Sequence, residues 1–146
     1  MGLMESFRVE NPEYEAQVRE SFAQQSVMNL IGANLGRVGP GLIVIELPYR
    51  ADLTQQNGFI HAGILTTVAD SACGYAAFTL MPAGAGVLSV EFKVNLLRPA
   101  RGERFIAEAK VIKAGTTLTV ATCDVNAIAD SETKLVATMT ATIIRR

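Results

Sequence analysis

Ile60–Met81 reads Ile-His-Ala-Gly-Ile-Leu-Thr-Thr-Val-Ala-Asp-Ser-Ala-Cys-Gly-Tyr-Ala-Ala-Phe-Thr-Leu-Met. This stretch is apolar nearly all round a helical wheel, and Asp70 is its lone acid. Its length is about that of a membrane span, which needs ~20 apolar residues. A central Asp costs ~2.5–3.5 kcal/mol on insertion scales, and His61, Ser71, three threonines and two glycines add polarity. The stretch is therefore read as a helix buried inside a globular fold and not as a membrane span.

Beyond Met81 the hydrophobic period changes. Leu88, Val90, Phe92, Val94 and Leu96 alternate with Ser89, Glu91, Lys93 and Asn95, the pattern of a half-buried strand over Val87–Leu97. Arg98–Gly102 reads as a turn. Glu103–Lys113, Thr117–Ile128 and Leu135–Arg145 are three further strands. Phe105, Ala107, Ala109 and Val111 share one face of the first, and Leu135, Ala137, Met139, Ala141 and Ile143 share one face of the last. Short connections exclude parallel pairing, so four consecutive antiparallel strands are expected.

Upstream, Asn11-Pro12-Glu13 starts a helix running to about Gln25. A second short turn, Val27–Ile31, is capped by Ser26 and closed by Gly32. Leu35–Val38 and Leu42–Leu47 flank Gly39-Pro40-Gly41 as a hairpin, and Tyr49–Phe59 reads as a loop. The expected architecture is α+β, an antiparallel sheet curled around the long helix. One sheet face cannot bury a helix that is apolar all round, so a second copy of the chain is expected against it.

The whole chain, 146 residues with a net charge of −1, suits one domain: an N-terminal helical segment over 1–32 and a core over 33–146. The charge balance of 13 Lys+Arg against 14 Asp+Glu argues against nucleic-acid binding, which needs a concentrated basic surface. Residues 1–15 carry Glu5, Arg8, Glu10, Glu13 and Glu15 and no apolar run of a secretory signal. Cys73 and Cys123 suggest no disulfide framework, and free thiols suit a cytoplasmic location. One histidine and two distant cysteines are poor material for a metal site, and none is expected. No GxSxG elbow or GxxxxGK[ST] loop is present.

Two groups of residues remain as chemistry. Asp70 is expensive to bury unless it is paired, hydrogen-bonded or functional. One account has it accept bonds from Thr66 or Thr67, one helical turn away, and the other has it react. At the helix start, Gly58, Ala62 and Gly63 leave free backbone N–H groups and the positive dipole end accessible, which suits a developing oxyanion. His61 and Asp70 lie nine residues, or ~13.5 Å, apart on one helix. They cannot act on one atom within one chain. If both serve one site, the helix start of one subunit meets the helix middle of another.

The pattern resembles the PaaI-like hotdog-fold acyl-CoA thioesterases over roughly Leu35–Arg145. The carrying residues are Gln55-Gln56-Asn57-Gly58-Phe59-Ile60-His61-Ala62-Gly63, Asp70 nine positions after the histidine, and Ser89 ten residues before Pro99. Ala62 stands where the family has a glycine, and Gln55 where many relatives have asparagine. The resemblance implies hydrolysis of an acyl-CoA thioester without a cofactor. Asp70 would act as base or nucleophile, the Ala62 and Gly63 amides would polarise the carbonyl, and His61 would hold the loop or bond the thioester. Gln55 would orient water or substrate, and Ser89 would assist Asp70 across a subunit interface. Arg98 and Arg101 would meet the CoA phosphates. A homo-oligomer is expected, at least a dimer and a tetramer by preference, acting on medium or long aliphatic acyl groups. An aryl-CoA thioesterase, a non-catalytic acyl-thioester binder and an enoyl-thioester hydratase are the rival readings. The closely spaced acid and histidine that a hydratase would need are not found.

Overall fold

The computed structural model describes residues 7–146. Residues 1–6, on which part of the secretory-signal reading rests, lie outside the described residues. Asn11 starts the N-terminal helical segment: its Oδ1 accepts the Glu13 N–H at 3.0 Å. The first regular turn begins two residues beyond the expected Pro12, as α1 (Tyr14–Gln24). Helix α2 (Ser26–Ile31) follows, with Gln25 and not Ser26 at its cap position, and ends at Gly32 in the left-handed conformation (φ 78°) that glycine adopts without a Cβ penalty. Strands β1 (Asn34–Gly39) and β2 (Leu42–Pro48) form the expected hairpin, and the loop beyond it contains a short 3₁₀ turn, Ala51–Leu53. Helix α3 (Ala62–Phe78) is followed by β3 (Val87–Leu96), β4 (Arg104–Ala114), β5 (Leu118–Ala129) and β6 (Glu132–Arg145).

The six strands form one antiparallel sheet in the order β1-β2-β4-β5-β6-β3. This corrects the expectation that β3 pairs with β4. β3 pairs with β6 at the far end of the sheet, and β4 lies between β2 and β5. Short connections usually join neighbours. Here, seven residues, 97–103, span at most ~23 Å at ~3.3 Å per residue, and they connect the two strands across the curled sheet. The crossing also anchors the loop before α3, because Ala100 O accepts the Ile60 N–H at 3.1 Å.

The core lies between α3 and the concave face of the sheet. Alternate residues of the strands point inward as the pattern required: Ile43, Ile45 and Leu47; Phe105, Ala107 and Ala109; Ala121, Cys123 and Val125; Ala137, Met139 and Ile143. Many of these are alanine. The face of α3 that meets them, Val68, Ala69, Ala72, Cys73 and Ala76, is equally small and fully buried. Among the described residues, no helix is long and apolar enough to cross a membrane.

Two expectations about exposure are corrected. The side of α3 that the sheet leaves open is not apolar. Phe22 of α1 packs on Tyr75 with ring centroids 5.9 Å apart, so α1 covers one flank. What remains is a stripe of small and polar residues, exposed Gly63 followed by half-exposed Thr67, Asp70, Ser71 and Gly74. Exposed apolar surface lies instead on β3, where Leu88, Val90, Phe92 and Leu96 are each 43–54% exposed along the free edge of the sheet. An unpaired apolar edge of ten residues is a ready template for another strand.

Candidate active site

Asp70 lies midway along α3, on its half-exposed stripe. Neither threonine one turn back reaches it. The Thr66 and Thr67 hydroxyls both donate to carbonyls four residues earlier, those of Ala62 and Gly63, at 2.8 Å. Asp70 instead accepts the Ser89 Oγ–H at 2.6 Å. The expectation that Ser89 acts across a subunit interface is corrected: it belongs to the same chain as the carboxylate it holds. The cause is a β-bulge. Ser89 is opposite Ile143 and Glu91 is opposite Thr142, so Val90 is the extra residue. Without the bulge, Ser89 would share the outer face with Lys93 and Asn95. The bulge returns it to the inner face that holds Phe92 and Val94, a common use of bulges beside reactive groups. Asp70 and Ser89 border a cavity of about 570 Å³ between α1, α3 and the start of β3.

The helix start is built from backbone. His61 is the cap residue of α3, with extended backbone (φ −58°, ψ 135°), and its Nδ1 accepts the Gly63 N–H at 2.8 Å. That bond requires Nδ1 to be unprotonated, so the neutral ring carries its proton on Nε2. It also means that the Gly63 amide, expected as an oxyanion donor, is engaged with the histidine. A Cβ on Gly63 would stand 3.0 Å from His61 Nδ1, so glycine here makes room for the ring. The Ala62 N–H donates to no protein acceptor among the described residues. Gln55 Oε1 accepts the Asn57 N–H at 2.6 Å and braces the loop that leads into the helix. Gln55 and Ala62 border a second cavity, of about 440 Å³, walled by Leu96 and Pro99.

Arg98 and Arg101 line a third cavity, of about 650 Å³, which shares Phe59, Arg98 and Pro99 with the second. The Arg98 guanidinium donates to Leu135 O at 2.7 Å, and that of Arg101 stacks on Phe59 with its carbon 5.4 Å from the ring centroid. Lys134 adds a third cation, which no sequence motif marks. The chain thus brings Asp70 to Ser89, and Gln55 and Ala62 to the arginines, in two separate groups.

Cys73 and Cys123, fifty residues apart in sequence, meet in the core. Their mutual hydrogen bond and burial push the Cys123 thiol well above its ordinary range. Sequence reasoning missed Ser21, Gln25, Ser71 and Tyr75 beside Asp70. The α1 residues carry no local signal, and Tyr75 reads only as part of an apolar run.

This geometry has counterparts. The family model of the thioesterase superfamily matches residues 57–133, from the loop before α3 to the start of β6. A thioesterase family protein from Silicibacter pomeroyi shares 55% identity and superposes with a TM-score of 0.89, covering 90% of this chain and 97% of that one. The E. coli PaaI protein from the phenylacetic acid degradation operon has the same fold at 18% identity (TM-score 0.82, 94% and 96% covered). Acyl-coenzyme A thioesterase 13 of Homo sapiens is 29% identical over 86 residues, which cover 58% of this chain and 61% of that one. With a matched family model, a helix wrapped by a curled antiparallel sheet and PaaI among its structural counterparts, the chain belongs to the thioesterase superfamily as a PaaI-like hotdog-fold protein.

Proposed function

We propose that the protein hydrolyses acyl-CoA thioesters to the free acid and CoA, in the cytoplasm, without a cofactor. The observation that carries this reading is the Asp70 carboxylate, held at 2.6 Å by Ser89 on the open stripe of α3 beside a cavity of substrate size. The Ser89 bond fixes one carboxylate oxygen and leaves the other free. That oxygen takes a proton from water as the water attacks the thioester carbon, and the carbon–sulfur bond then breaks with the proton passing to the departing CoA sulfur. Direct attack by the same oxygen, through an anhydride, uses the same placement. The acyl-CoA thioesterase name of the human relative supports the substrate class.

The remaining parts fit a site shared between two chains. Ala62 and Asp70 are eight residues, or ~12 Å, apart along one helix, too far for one thioester. The free edge of β3 supports pairing of two copies, which would bring the α3 start of one chain towards the α3 middle of the other. CoA phosphates would meet Arg98, Arg101 and Lys134. The thioester would lie in the adjoining cavity with its carbonyl at the Ala62 N–H, Gln55 would orient it, and Asp70 would come from the second chain. We take the acyl group to be aliphatic: beside the aromatic Tyr75 and Phe78, the apolar lining around Asp70 is Ala85, Val87 and Leu88. The test is turnover of a panel of acyl-CoAs by the parent and by Asp70→Asn. Hydrolysis by the parent and its near abolition in the variant support the reading, and equal rates overturn it.

A further inference from the structure

The cavity beside Asp70 has a far wall, and that wall is polar. Two pairs of hydrogen-bonded side chains join α1 and the α1–α2 junction to α3 there. Ser21 Oγ and Tyr75 Oη are 3.1 Å apart, and Ser71 Oγ donates to Gln25 Oε1 at 3.0 Å. All four residues line the cavity, together with Val87 and with Phe78, whose ring packs edge-on against Tyr75 at 6.4 Å between centroids. A helical side chain leans towards the helix N-terminus. Tyr75 follows Asp70 by five residues, or ~7.5 Å of rise along α3, and both line the same cavity. Two hydroxyls that share one hydrogen bond keep one proton and several lone pairs unused between them. Burial raises the Tyr75 pKa, only partly offset by Ser21, so the phenol stays protonated.

From this we infer that Ser21 and Tyr75 determine acyl specificity, by receiving a hydrogen-bonding group at the far end of an aliphatic acyl chain about six carbons long. The inference rests on the acyl-CoA reading above and adds to it. An unsubstituted chain that reached the wall would strip water from two hydroxyls and return nothing, whereas a distal hydroxyl replaces that water. A site built to hydrogen-bond a substrate group discriminates against the analogue that lacks it. Long saturated chains are disfavoured on the same ground, because α1 closes the direction in which they would extend.

The test uses non-hydrolysable thioethers, S-(6-hydroxyhexyl)-CoA and S-hexyl-CoA, with binding to the full-length protein measured by calorimetry. One net hydrogen bond predicts that the hydroxylated compound binds about fivefold tighter. Tyr75→Phe keeps the ring against Phe22 and removes only the hydroxyl, and Ser21→Ala does the same from the α1 side. Each should bring the two dissociation constants together, chiefly by weakening the hydroxylated compound. Equal binding of both compounds by the parent, or a preference that survives both substitutions, would overturn the inference. If the preference holds while no acyl-CoA is turned over, the pocket assignment stands and the hydrolytic reading fails, so the two failures are told apart.

Discussion

The middle and the start of α3 lie on the same stripe of the same helix, yet they are built from different parts. At the middle, the proposed chemistry is a side chain: the Asp70 carboxylate, aimed by a Ser89 that only a bulge turns inward. At the start, the proposed chemistry is backbone: the Ala62 N–H, presented by a loop that Gln55 braces and a cap that His61 closes. The middle should therefore be sensitive to what its side chains are. The start should be sensitive to whether an N–H exists and to how much bulk surrounds it.

Asp70→Asn should show the largest effect. It preserves size and loses proton acceptance, so a fall in kcat of about 10³–10⁴ is expected with little change in melting temperature. Steady-state kinetics with a thermal melt checks both. Ala62→Pro comes next. Proline is favoured at the first helical position, and the extended conformation of His61 already suits a following proline. The substitution removes the amide proton while keeping the helix. Loss of one oxyanion donor predicts a fall of about 10²–10³ in kcat with the fold intact by circular dichroism. Ala62→Gly should remain active at a cost of at most ~1 kcal/mol of stability.

Ser89→Ala removes a hydrogen bond to a charged group but leaves the carboxylate, and a fall of about tenfold in kcat/KM is expected. Gly63→Ala should act mainly on stability. Its methyl forces the His61 ring to give way, and the lost cap costs about 1 kcal/mol, read as a lower midpoint in urea. If Gly63→Ala instead removed activity as completely as Asp70→Asn, the Gly63 amide would have to be counted among the reacting groups.

Some of this is legible in the sequence, and the rest is hidden for physical reasons. Strand periodicity exposes the inner face of β4 residue by residue, because a period of two is written directly into side-chain order. On β6 it holds from Ala137 to Ile143, but a bulge at Val136 buries that residue and turns Leu135, expected inside, to the other face. The pairing of β3 is hidden, since which edge a strand joins depends on the curl of the whole sheet. Ser89 carries a family spacing, but the alternating pattern puts it on the wrong face, because one extra residue in a bulge leaves no mark in polarity. Asp70 stands out as the lone acid in a 22-residue apolar stretch. Its neighbours from α1 do not, because contact between segments some 50 residues apart is decided by tertiary packing. The apolar character of α3 is plain in the sequence, yet its cover comes in part from Phe22 of the same chain. The edge of β3, and not the helix, is therefore the exposed apolar surface on which the proposed second copy would pair.

If the carboxylate of one chain and the amide of another make one site, subunit complementation tests that most directly. Asp70→Asn and Ala62→Pro chains, each nearly inactive alone, are unfolded together, refolded in equal amounts and assayed with an acyl-CoA. In a symmetric dimer, half of the molecules are mixed and each mixed molecule holds one intact site of two, so activity should return to about a quarter of the parental value. A refolded mixture that contains mixed dimers yet stays as inactive as its components would contradict the shared site and place all the chemistry within one chain.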